Sequence, residues 1–277
     1  MDGTTIVDSS SVALTRDLAW TPQAFKDTDG DGKTDVILRH TDGRWWRYGL
    51  SGASVLTNGQ IAATRNTDFT AASFADFNGD GKSDLLVRSS ASGIWWLYLL
   101  DGSAIIESGA VAASRDLNWQ LAAAADFNGD SKSDLLIRHG ALGSWWLYTL
   151  DGNSIQSAGG VRMTRDLDWH PVSFADFDGD SSADVLLRKA SGAWWLYTLN
   201  GSTLTTQGRL EATGNRNWRP VSFADFDADG KADVLIRNFS SGGWWLYSTS
   251  GQTILFSGRI GATPSLSWEL QDGVGSD

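Results

Sequence analysis

Short apolar runs separated by polar turns recur along the whole chain, and none has the 3.6-residue period of an amphipathic helix. Residues 70–119 illustrate the pattern, in which Thr70–Phe77 enters an acidic loop and Asp84–Arg88 leaves it. Ile94–Leu100 is rich in strand-forming residues and ends at an Asp-Gly hairpin turn, after which Ala104–Ser114 forms another strand-like run. The pattern predicts four short strands, A to D, in a unit of about 50 residues.

This four-strand unit occurs five times, with units at about 20–68, 69–118, 119–168, 169–217 and 218–268. Four antiparallel strands repeated at this period are typical of a propeller blade. An open β-solenoid is the alternative architecture, although its turns are usually much shorter. We therefore predict an all-β fold, a five-bladed β-propeller of four-stranded antiparallel blades that forms a single domain over residues 1–277.

Two segments can supply an outer strand D where such a propeller closes. Residues 1–19 form a spare outer strand and linker, because Asp2–Trp20 aligns without gaps with Asp101–Trp119. The chain also carries its own last strand D at Gln252–Thr263 and continues to Trp268. A terminal strand often completes the last blade and removes its exposed edge. The sequence does not choose between the copies, and the unused one invites strand exchange, so we predict a monomer or a strand-exchanged dimer.

An acidic nonapeptide lies between strands A and B of every unit. Its copies begin at Asp27, Asp76, Asp126, Asp176 and Asp225, at intervals of 49, 50, 50 and 49 residues. Oxygen atoms at positions 1, 3, 5 and 9, with a backbone carbonyl at position 7, can enclose a hard cation such as calcium. Asp-Gly turns also occur without metal, but carboxylates crowded into nine residues repel one another when no cation is present. We therefore predict up to five calcium ions.

Position 12 of each copy is apolar, whereas an EF-hand has a glutamate there, so the helix–loop–helix interpretation is rejected. These residues are Leu38, Val87, Ile137, Leu187 and Ile236. Glycine at positions 4 and 6 permits the backbone conformations that such a loop needs. Because Ser131 and Ser181 replace it at position 6 and Ala228 replaces it at position 4, we expect weaker sites in the third, fourth and fifth copies.

Charge and composition narrow the classes of function. The formal net charge is −11, and the five loops contain 18 of the 33 acidic residues. The acidity therefore belongs mostly to the predicted metal sites, and it argues against a nucleic-acid partner, which requires a basic face. The absence of cysteine excludes disulfides, Cys-based zinc sites and thiol catalysis. No apolar run approaches 18 residues, so no membrane span is predicted.

The motif DFNGDGKSDLLVR, followed by an aromatic strand and an Asp-Gly turn, resembles the FG-GAP, or VCBS, repeat. Such repeats are found in integrin α-chain propellers, in many bacterial secreted proteins and in a fungal lectin propeller. The resemblance extends over nearly the whole chain and implies a β-propeller with calcium in the loop between strands A and B, although this chain has five units and the integrin type has seven. The family acts in adhesion, in glycan binding and beside enzymes, so the resemblance indicates fold more firmly than function.

By this match, the metal ligands occupy positions 1, 3, 5 and 9 of each loop, with asparagine at position 3 of the second and third copies. They are Asp27, Asp29, Asp31, Asp35, Asp76, Asn78, Asp80, Asp84, Asp126, Asn128, Asp130, Asp134, Asp176, Asp178, Asp180, Asp184, Asp225, Asp227, Asp229 and Asp233.

Ten of the 15 tryptophans form adjacent pairs in strand C. Neighbouring residues of a strand point to opposite faces, and both faces of a blade are covered in a propeller, so we expect both indoles to be buried. The pairs are Trp45-Trp46, Trp95-Trp96, Trp145-Trp146, Trp194-Trp195 and Trp244-Trp245. An arginine ends strand B in every unit, and we expect it to anchor a neighbouring blade rather than to bind a ligand. These are Arg39, Arg88, Arg138, Arg188 and Arg237.

The linkers from strand D to the next strand A combine an aromatic residue with planar polar groups, at the strand ends opposite the acidic loops. Sugars stack on aromatic rings, and arginine and aspartate hydrogen-bond their hydroxyl groups. Core packing and Arg–Asp pairs that only tie adjacent blades are the alternatives. The predicted ligand-binding residues are Arg16, Asp17, Trp20, Arg115, Asp116, Trp119, Arg165, Asp166 and Trp169. Phe69 and Asn215-Arg216 depart from this pattern, so we expect weaker binding at those two linkers.

These features predict a calcium-stabilised, non-catalytic recognition module with several weak, lectin-like carbohydrate sites used together. A protein-adhesion or scaffold surface is the second interpretation, and an accessory or catalytic domain of a polysaccharide-active enzyme is the third. No catalytic residue is predicted, because His40, His139 and His170 occupy non-equivalent positions outside any recognisable motif. The first residues are not a signal peptide. We expect a leader or neighbouring domain outside this sequence, a secreted or cell-surface location, and a glycan or another cell-surface ligand as partner.

Overall fold

The computed structural model describes residues 10–261, which form twenty β-strands in two compact units. One unit is the chain up to Leu117 with Asp151–Ser154, and the other is Asn118–Leu150 with the chain from Ile155 onward. The strands of the first unit are β1 (Trp20–Lys26), β2 (Asp35–His40), β3 (Trp45–Ser51), β4 (Ser54–Ile61), β5 (Phe69–Ala75), β6 (Asp84–Ser89), β7 (Trp95–Asp101) and β8 (Ala104–Val111).

The second unit contains the remaining strands, except that the turn joining β11 and β12 is assigned with the first unit. They are β9 (Trp119–Ala125), β10 (Asp134–His139), β11 (Trp145–Asp151), β12 (Ser154–Val161), β13 (Trp169–Ala175), β14 (Asp184–Lys189), β15 (Trp194–Asn200), β16 (Thr203–Leu210), β17 (Trp218–Ala224), β18 (Asp233–Asn238), β19 (Trp244–Ser250) and β20 (Thr253–Ile260).

Each group of four consecutive strands forms one sheet in chain order, β1–β4 through β17–β20. Neighbouring strands are antiparallel, and residues 10–261 contain no helix. The predicted fold class is confirmed: the chain is all-β, with five propeller-type blades of four strands. In every sheet the acidic loop joins the first two strands, because Asp and Gly end the first apolar run and an Asp begins the second.

The C-terminal copy of strand D takes the outer position of the fifth sheet, where β20 pairs with β19. Residues 10–14 of the N-terminal copy form no strand. The rest of that copy, residues 1–9, and the predicted continuation at Trp268 lie outside the described residues. The single-domain arrangement and the strand exchange stay predictions.

The apolar core follows the second and third strands of the sheets. In the first unit, Ile37, Trp45, Leu85 and Leu100 pack in one fully buried cluster. The expectation that both indoles of each pair are buried is only partly right. The first indole of a pair is nearly inaccessible in four of the five sheets, whereas the second is more exposed, and Trp146 reaches 37%. In the first, fourth and fifth sheets the second indole packs edge-on against the first residue of strand A, as Trp195 does against Trp169 with 6.3 Å between ring centres.

In the first four sheets the arginine that ends strand B is a structural anchor, as predicted. In the second unit, the Arg138 guanidinium lies 4.6 Å from the centre of the Trp145 ring. Its Nη1 donates a hydrogen bond to the carbonyl of Trp169 at 2.6 Å, and its Nη2 donates to the carbonyl of Asp166 at 2.9 Å. One guanidinium therefore holds the third sheet to the linker that begins the fourth.

Candidate metal sites and ligand cavity

The first carboxylate of each acidic loop closes the loop by accepting hydrogen bonds from its backbone. In the second loop, Asp76 accepts the N–H of Gly79 at 2.6 Å and the N–H of Gly81 at 2.7 Å. In the fourth loop, Asp176 accepts the N–H groups of Gly179 and Ser181 at 2.6 and 2.8 Å. The loops therefore share one backbone path, which brings positions 1, 3, 5 and 9 onto a single turn.

The carboxylate at position 9 is buried beneath the loop. Asp84 is fully inaccessible, and its two oxygens accept the N–H groups of Phe77 and Leu100, each at 2.9 Å. Burial, with a smaller contribution from the charges of Asp80 and Asp76, raises the pKa of Asp84 to about 7 against these hydrogen bonds. The same causes raise the pKa of Asp134 to about 7 and that of Asp184 to about 8. A cation at the loop would favour the ionised form of these groups.

Three loops bring carboxylate oxygens within 4.8 Å of one another, close enough to hold one metal ion. They are the first (Asp27, Asp29 and Asp35), the fourth (Asp176, Asp178 and Asp184) and the fifth (Asp225, Asp227 and Asp229). The second and third loops have an asparagine at position 3, which offers an amide oxygen instead. An all-oxygen donor set of this kind suits a hard cation.

The fourth loop contains no basic residue within its nine positions. Burial raises the pKa of Asp178, and the charge of Asp180 adds to the rise. The four carboxylates of this turn have no basic side chain within the loop, so their charge and spacing fit a divalent ion. Ser181 at position 6 takes the left-handed backbone conformation, with φ of 70°, that glycine has at the equivalent position of the second loop. Serine thus keeps the loop path at the cost of backbone strain.

The first loop differs because an arginine from β3 enters it. Arg47 is only 3% exposed, and its Nε and Nη2 donate to the two carboxylate oxygens of Asp35 at 2.7 and 2.8 Å. Its Nη2 also contacts the carboxylate of Asp29. Burial alone would lower the pKa of Arg47, but the bonds and charges of Asp35 and Asp29 outweigh it and raise that pKa. The sequence reasoning missed this residue, although it breaks the Trp-Trp-Leu-Tyr pattern that strand C has in the other four units.

The linker residues are exposed where they are charged and half-buried where they are aromatic. In the first unit, Arg16 and Asp17 are exposed, while Trp20 packs edge-on against His40 at 5.0 Å between ring centres. The carboxylate of Asp17 lies 3.6 Å from Nε2 of the same histidine. Asp17, Trp20 and His40 therefore meet at the start of the first sheet.

The other predicted linkers follow the same division. Arg115 and Asp116, in the linker before β9, are exposed. At the start of the third sheet, Trp119 packs edge-on against His139 with 5.2 Å between ring centres. Arg165, in the linker before β13, is exposed. Asp166 pairs with Lys189 at 2.6 Å, and the Lys189 ammonium lies 5.3 Å from the centre of the Trp169 ring. Part of the polar chemistry predicted for ligands is thus used within the protein.

A cavity of about 430 Å³ opens between the fourth and fifth sheets of the second unit, at the strand ends opposite the acidic loops. None of the nine predicted linker residues lines it. Its lining residues are His170, Val172, Arg188, Lys189, Ala190, Gly192, Arg216, Arg219 and Pro220. Burial lowers the pKa of Arg188, and the charge of Arg219 lowers it further, so positive charges crowd this wall.

The sequence carried a signal for this cavity, but it was interpreted as a weakness. Arg216 stands where the linker into the fourth sheet has Leu167, and Arg219 stands where β13 has His170. The fifth linker therefore departs from the Arg-Asp-Leu-x-Trp motif because it has additional cations. Comparison with the motif alone shows a mismatch and not the added charge.

A sequence profile described as an FG-GAP-like repeat matches residues 27–87, 76–137, 126–187 and 176–236, which together extend over more than half of the chain. Each match begins at one acidic loop and ends in strand B of the next unit. No curated protein matches the sequence. The described residues contain no helix that is long and apolar enough to cross a membrane.

Several solved structures match the chain at low sequence identity. The WD40 domain of SCAP from fission yeast is 10% identical, with a TM-score of 0.49 over 86% of this chain and 56% of that chain. The C-terminal WD40 domain of Sif2 is 13% identical, with a TM-score of 0.45 over 91% of this chain and 62% of that chain. The V. cholerae biofilm matrix protein Bap1 is 19% identical, with a TM-score of 0.36 over 90% of this chain and 39% of that chain. The chain thus spans less than two thirds of the length of each.

Proposed function

Because the chain belongs to the FG-GAP-like repeat family, we propose that it is a calcium-stabilised, non-catalytic recognition module of a secreted or cell-surface protein, and that its ligand is a carbohydrate. The observation that carries the choice of ligand is the cationic cavity between the fourth and fifth sheets. Lys189 of this wall is paired with Asp166. Arg188, Arg216 and Arg219 are therefore the positive charges that would meet an anionic ligand in a chain whose net charge is −11.

Calcium is the proposed ion of the acidic loops. Carboxylate and amide oxygens at positions 1, 3, 5 and 9 would hold it, and the ion would supply the positive charge that the fourth loop lacks in its sequence. The buried carboxylates at position 9 support this role, because burial raises their pKa values to about 7 or 8 and a cation at the loop would favour their ionised form. The ion is structural here, since the cavity lies at the other strand ends.

The lining of the cavity favours an acidic carbohydrate. Arginine guanidinium groups match the planar oxygen pairs of carboxylates and sulfates, and Arg216 and Arg219 present such groups from the fifth linker and β17. A volume of about 430 Å³ lies within the range of small-molecule sites. The linkers at Arg16, Arg115 and Arg165 are proposed as weaker additional contacts for a polymeric ligand.

One observation favours the protein-adhesion alternative. The outer strands expose large apolar side chains, namely Leu56 on β4, Ile106 on β8, and Leu255 and Phe256 on β20. An exposed strand edge with apolar side chains can pair with a strand of another protein. This surface would bind without the cationic cavity, so the two functions separate by mutation.

A glycan array with uncharged, uronic-acid-containing and sulfated oligosaccharides, run with calcium and with chelator, tests the proposal. We expect binding to the acidic oligosaccharides in calcium. Arg216→Leu restores the residue of the fourth linker and is expected to weaken binding at least tenfold. Arg209→Leu is the matched control, because Arg209 is an exposed arginine of β16 outside the cavity lining. Equal binding of uncharged sugars, or an unchanged affinity of Arg216→Leu, would contradict the cavity assignment. If no glycan binds in calcium, the adhesion function is favoured.

A further inference from the structure

The first repeat departs from the other four at three positions around its acidic loop. Arg47 stands where the others have Leu97, Leu147, Leu196 and Leu246. Gly49 stands where they have Leu99, Thr149, Thr198 and Ser248. Thr28 stands where they have Phe77, Phe127, Phe177 and Phe226. The three positions lie in β3 and at position 2 of the loop, so the changes are distant in sequence and meet in one sheet.

The three changes fit one another sterically. A Cβ atom at Gly49 would lie 3.0 Å from Nη2 of Arg47 and 2.4 Å from Oγ1 of Thr57, so a larger side chain there would collide with the guanidinium. Thr28 is fully buried where the others have phenylalanine, and its hydroxyl donates to Asp35 at 2.6 Å. Nη1 of Arg47 donates to Thr57 at 2.9 Å. In the first repeat, Thr28, Arg47 and Gly49 thus replace the residues that the other repeats have at these positions, and together they place one guanidinium against the loop.

The guanidinium binds carboxylates that a metal ion in this loop would need as ligands. Arg47 bonds to Asp29 and Asp35, which are positions 3 and 9 of the loop. Lys33 pairs with Asp31 at position 5 at 2.8 Å, and Asp27 accepts the N–H groups of Gly30 and Gly32 at 2.7 and 2.8 Å. Each of the four carboxylates therefore has a partner from the protein, and a divalent cation would meet a buried like charge.

We propose that the Arg47 guanidinium takes the place of the cation in the first loop, so that this loop binds no calcium and the chain binds at most four ions. The proposal rests on the proposed function for the other four loops. The stability of the first sheet would then be independent of calcium, because Arg47 on β3 balances the charge of the loop. A like charge of the protein, rather than a missing ligand, excludes the ion, since positions 1, 3, 5 and 9 of this loop are all aspartate.

Calcium stoichiometry, measured by native mass spectrometry and by titration calorimetry on the chelator-treated full chain, tests the proposal. We expect four calcium ions. Asp31→Ala and Asp80→Ala are matched variants, because both remove an exposed carboxylate at position 5. Asp31→Ala should leave the stoichiometry unchanged, and Asp80→Ala should reduce it by one. Loss of one ion by both variants overturns the inference and leaves the proposed function intact. No calcium bound to any form overturns both.

A gain of a fifth site is the complementary test. The triple variant Thr28→Phe/Arg47→Leu/Gly49→Thr gives the first repeat the residues of the fourth, where Thr198 bonds to Thr206 as the variant threonine could bond to Thr57. We expect this variant to bind one more calcium ion than the natural sequence. A folded triple variant with unchanged stoichiometry contradicts the proposal. If the variant does not fold, the comparison of Asp31→Ala with Asp80→Ala decides, because both substitutions are at the surface.

Discussion

The first and fourth acidic loops have the same four carboxylates but balance their charge differently. Asp29 and Asp35 of the first loop bind a buried arginine. In the fourth repeat, strand C has Leu196 at the position of that arginine, and Asp178 hydrogen-bonds to the side chain of Thr198. The fourth loop contains no basic residue. Identical ligand positions therefore do not define identical sites, because the residue that decides the charge comes from the third strand of the sheet.

The comparison also separates two sources of stability. An internal ion pair works at any calcium concentration but requires a buried charge to be desolvated. The stabilisation by a bound ion instead grows with the logarithm of its concentration, once that concentration exceeds the dissociation constant. We expect the stability of the first loop to be independent of calcium concentration. We expect the stability of the other loops to change with calcium concentration and with pH.

The largest expected effect is the pH dependence of the calcium-free protein. The folded-state pKa values of Asp84 and Asp134 are raised to about 7 and that of Asp184 to about 8, so the folded protein retains protons that the unfolded chain has released. The free energy of unfolding must therefore fall as pH rises from about 4 to 8, by up to about 1.4 kcal/mol per unit for each titrating group. Urea unfolding in chelator at pH 5, 6, 7 and 8 measures this.

Calcium provides the control for that prediction. An ion in the loop stabilises the ionised carboxylates, so the fall with pH should be smaller in calcium, and the stabilisation by calcium should grow with pH. A free energy of unfolding that stays flat between pH 5 and 8 in chelator contradicts the account of the buried carboxylates.

The second prediction concerns Arg47→Leu. Removing the guanidinium leaves Asp35 buried and Asp29 partly buried without their cation, which should lower the free energy of unfolding in chelator by about 3–5 kcal/mol. Arg44→Leu is the matched control, because Arg44 pairs with Asp42 at the surface and its loss should cost about 1 kcal/mol or less. Equal effects of the two substitutions would show that the buried pair has no special role.

The sequence predicted the sheets and loops because both depend on residues that are neighbours in the chain. Alternating apolar runs, Asp-Gly turns and a fixed period define a blade without knowledge of its packing. The arginine at the end of strand B was likewise predictable, since its recurrence indicated a structural contact. The family profile matches the same acidic loops.

Arg47 and the cavity were not predictable in this way. Arg47 lies 12 residues beyond Asp35 and reaches it only because β2 and β3 pair with Ile37 opposite Arg47. In the sequence, Arg216 is only a departure from the predicted sugar-binding linker. The structure shows that it lines the same cavity as Arg188 and Arg219. The exposure of Trp146 is a third case, because alternation along a strand gives the face of a side chain but not how well that face is covered.

The third prediction separates the loops by their response to calcium. At a concentration 100 times the dissociation constant, one occupied site adds about 2.7 kcal/mol to the free energy of unfolding. Hydrogen exchange with mass spectrometry should show new protection at Gly179 and Ser181 in calcium, and none at Gly30 and Gly32. The second loop is the internal control, because Gly79 and Gly81 belong to the same unit as the first loop and should gain protection. Equal protection of the first and second loops would contradict the comparison.

The smallest expected effect is the backbone strain of the fourth loop. Ser181 has φ of 70°, a left-handed conformation that costs a residue with a Cβ atom about 1–2 kcal/mol, whereas glycine adopts it freely. Ser181→Gly should therefore stabilise the protein, and after the added flexibility of the unfolded chain is subtracted the gain should be about 0.5–1 kcal/mol. The reciprocal variant is Gly32→Ser in the first loop, where φ is 76° and a Cβ atom would meet nothing within 4 Å, so only the backbone conformation is tested. It should destabilise by a similar amount. Urea unfolding of both variants in chelator provides the measurement. A loss of stability in Ser181→Gly, or none in Gly32→Ser, would mean that the loop path is set by something other than the conformational preference of position 6.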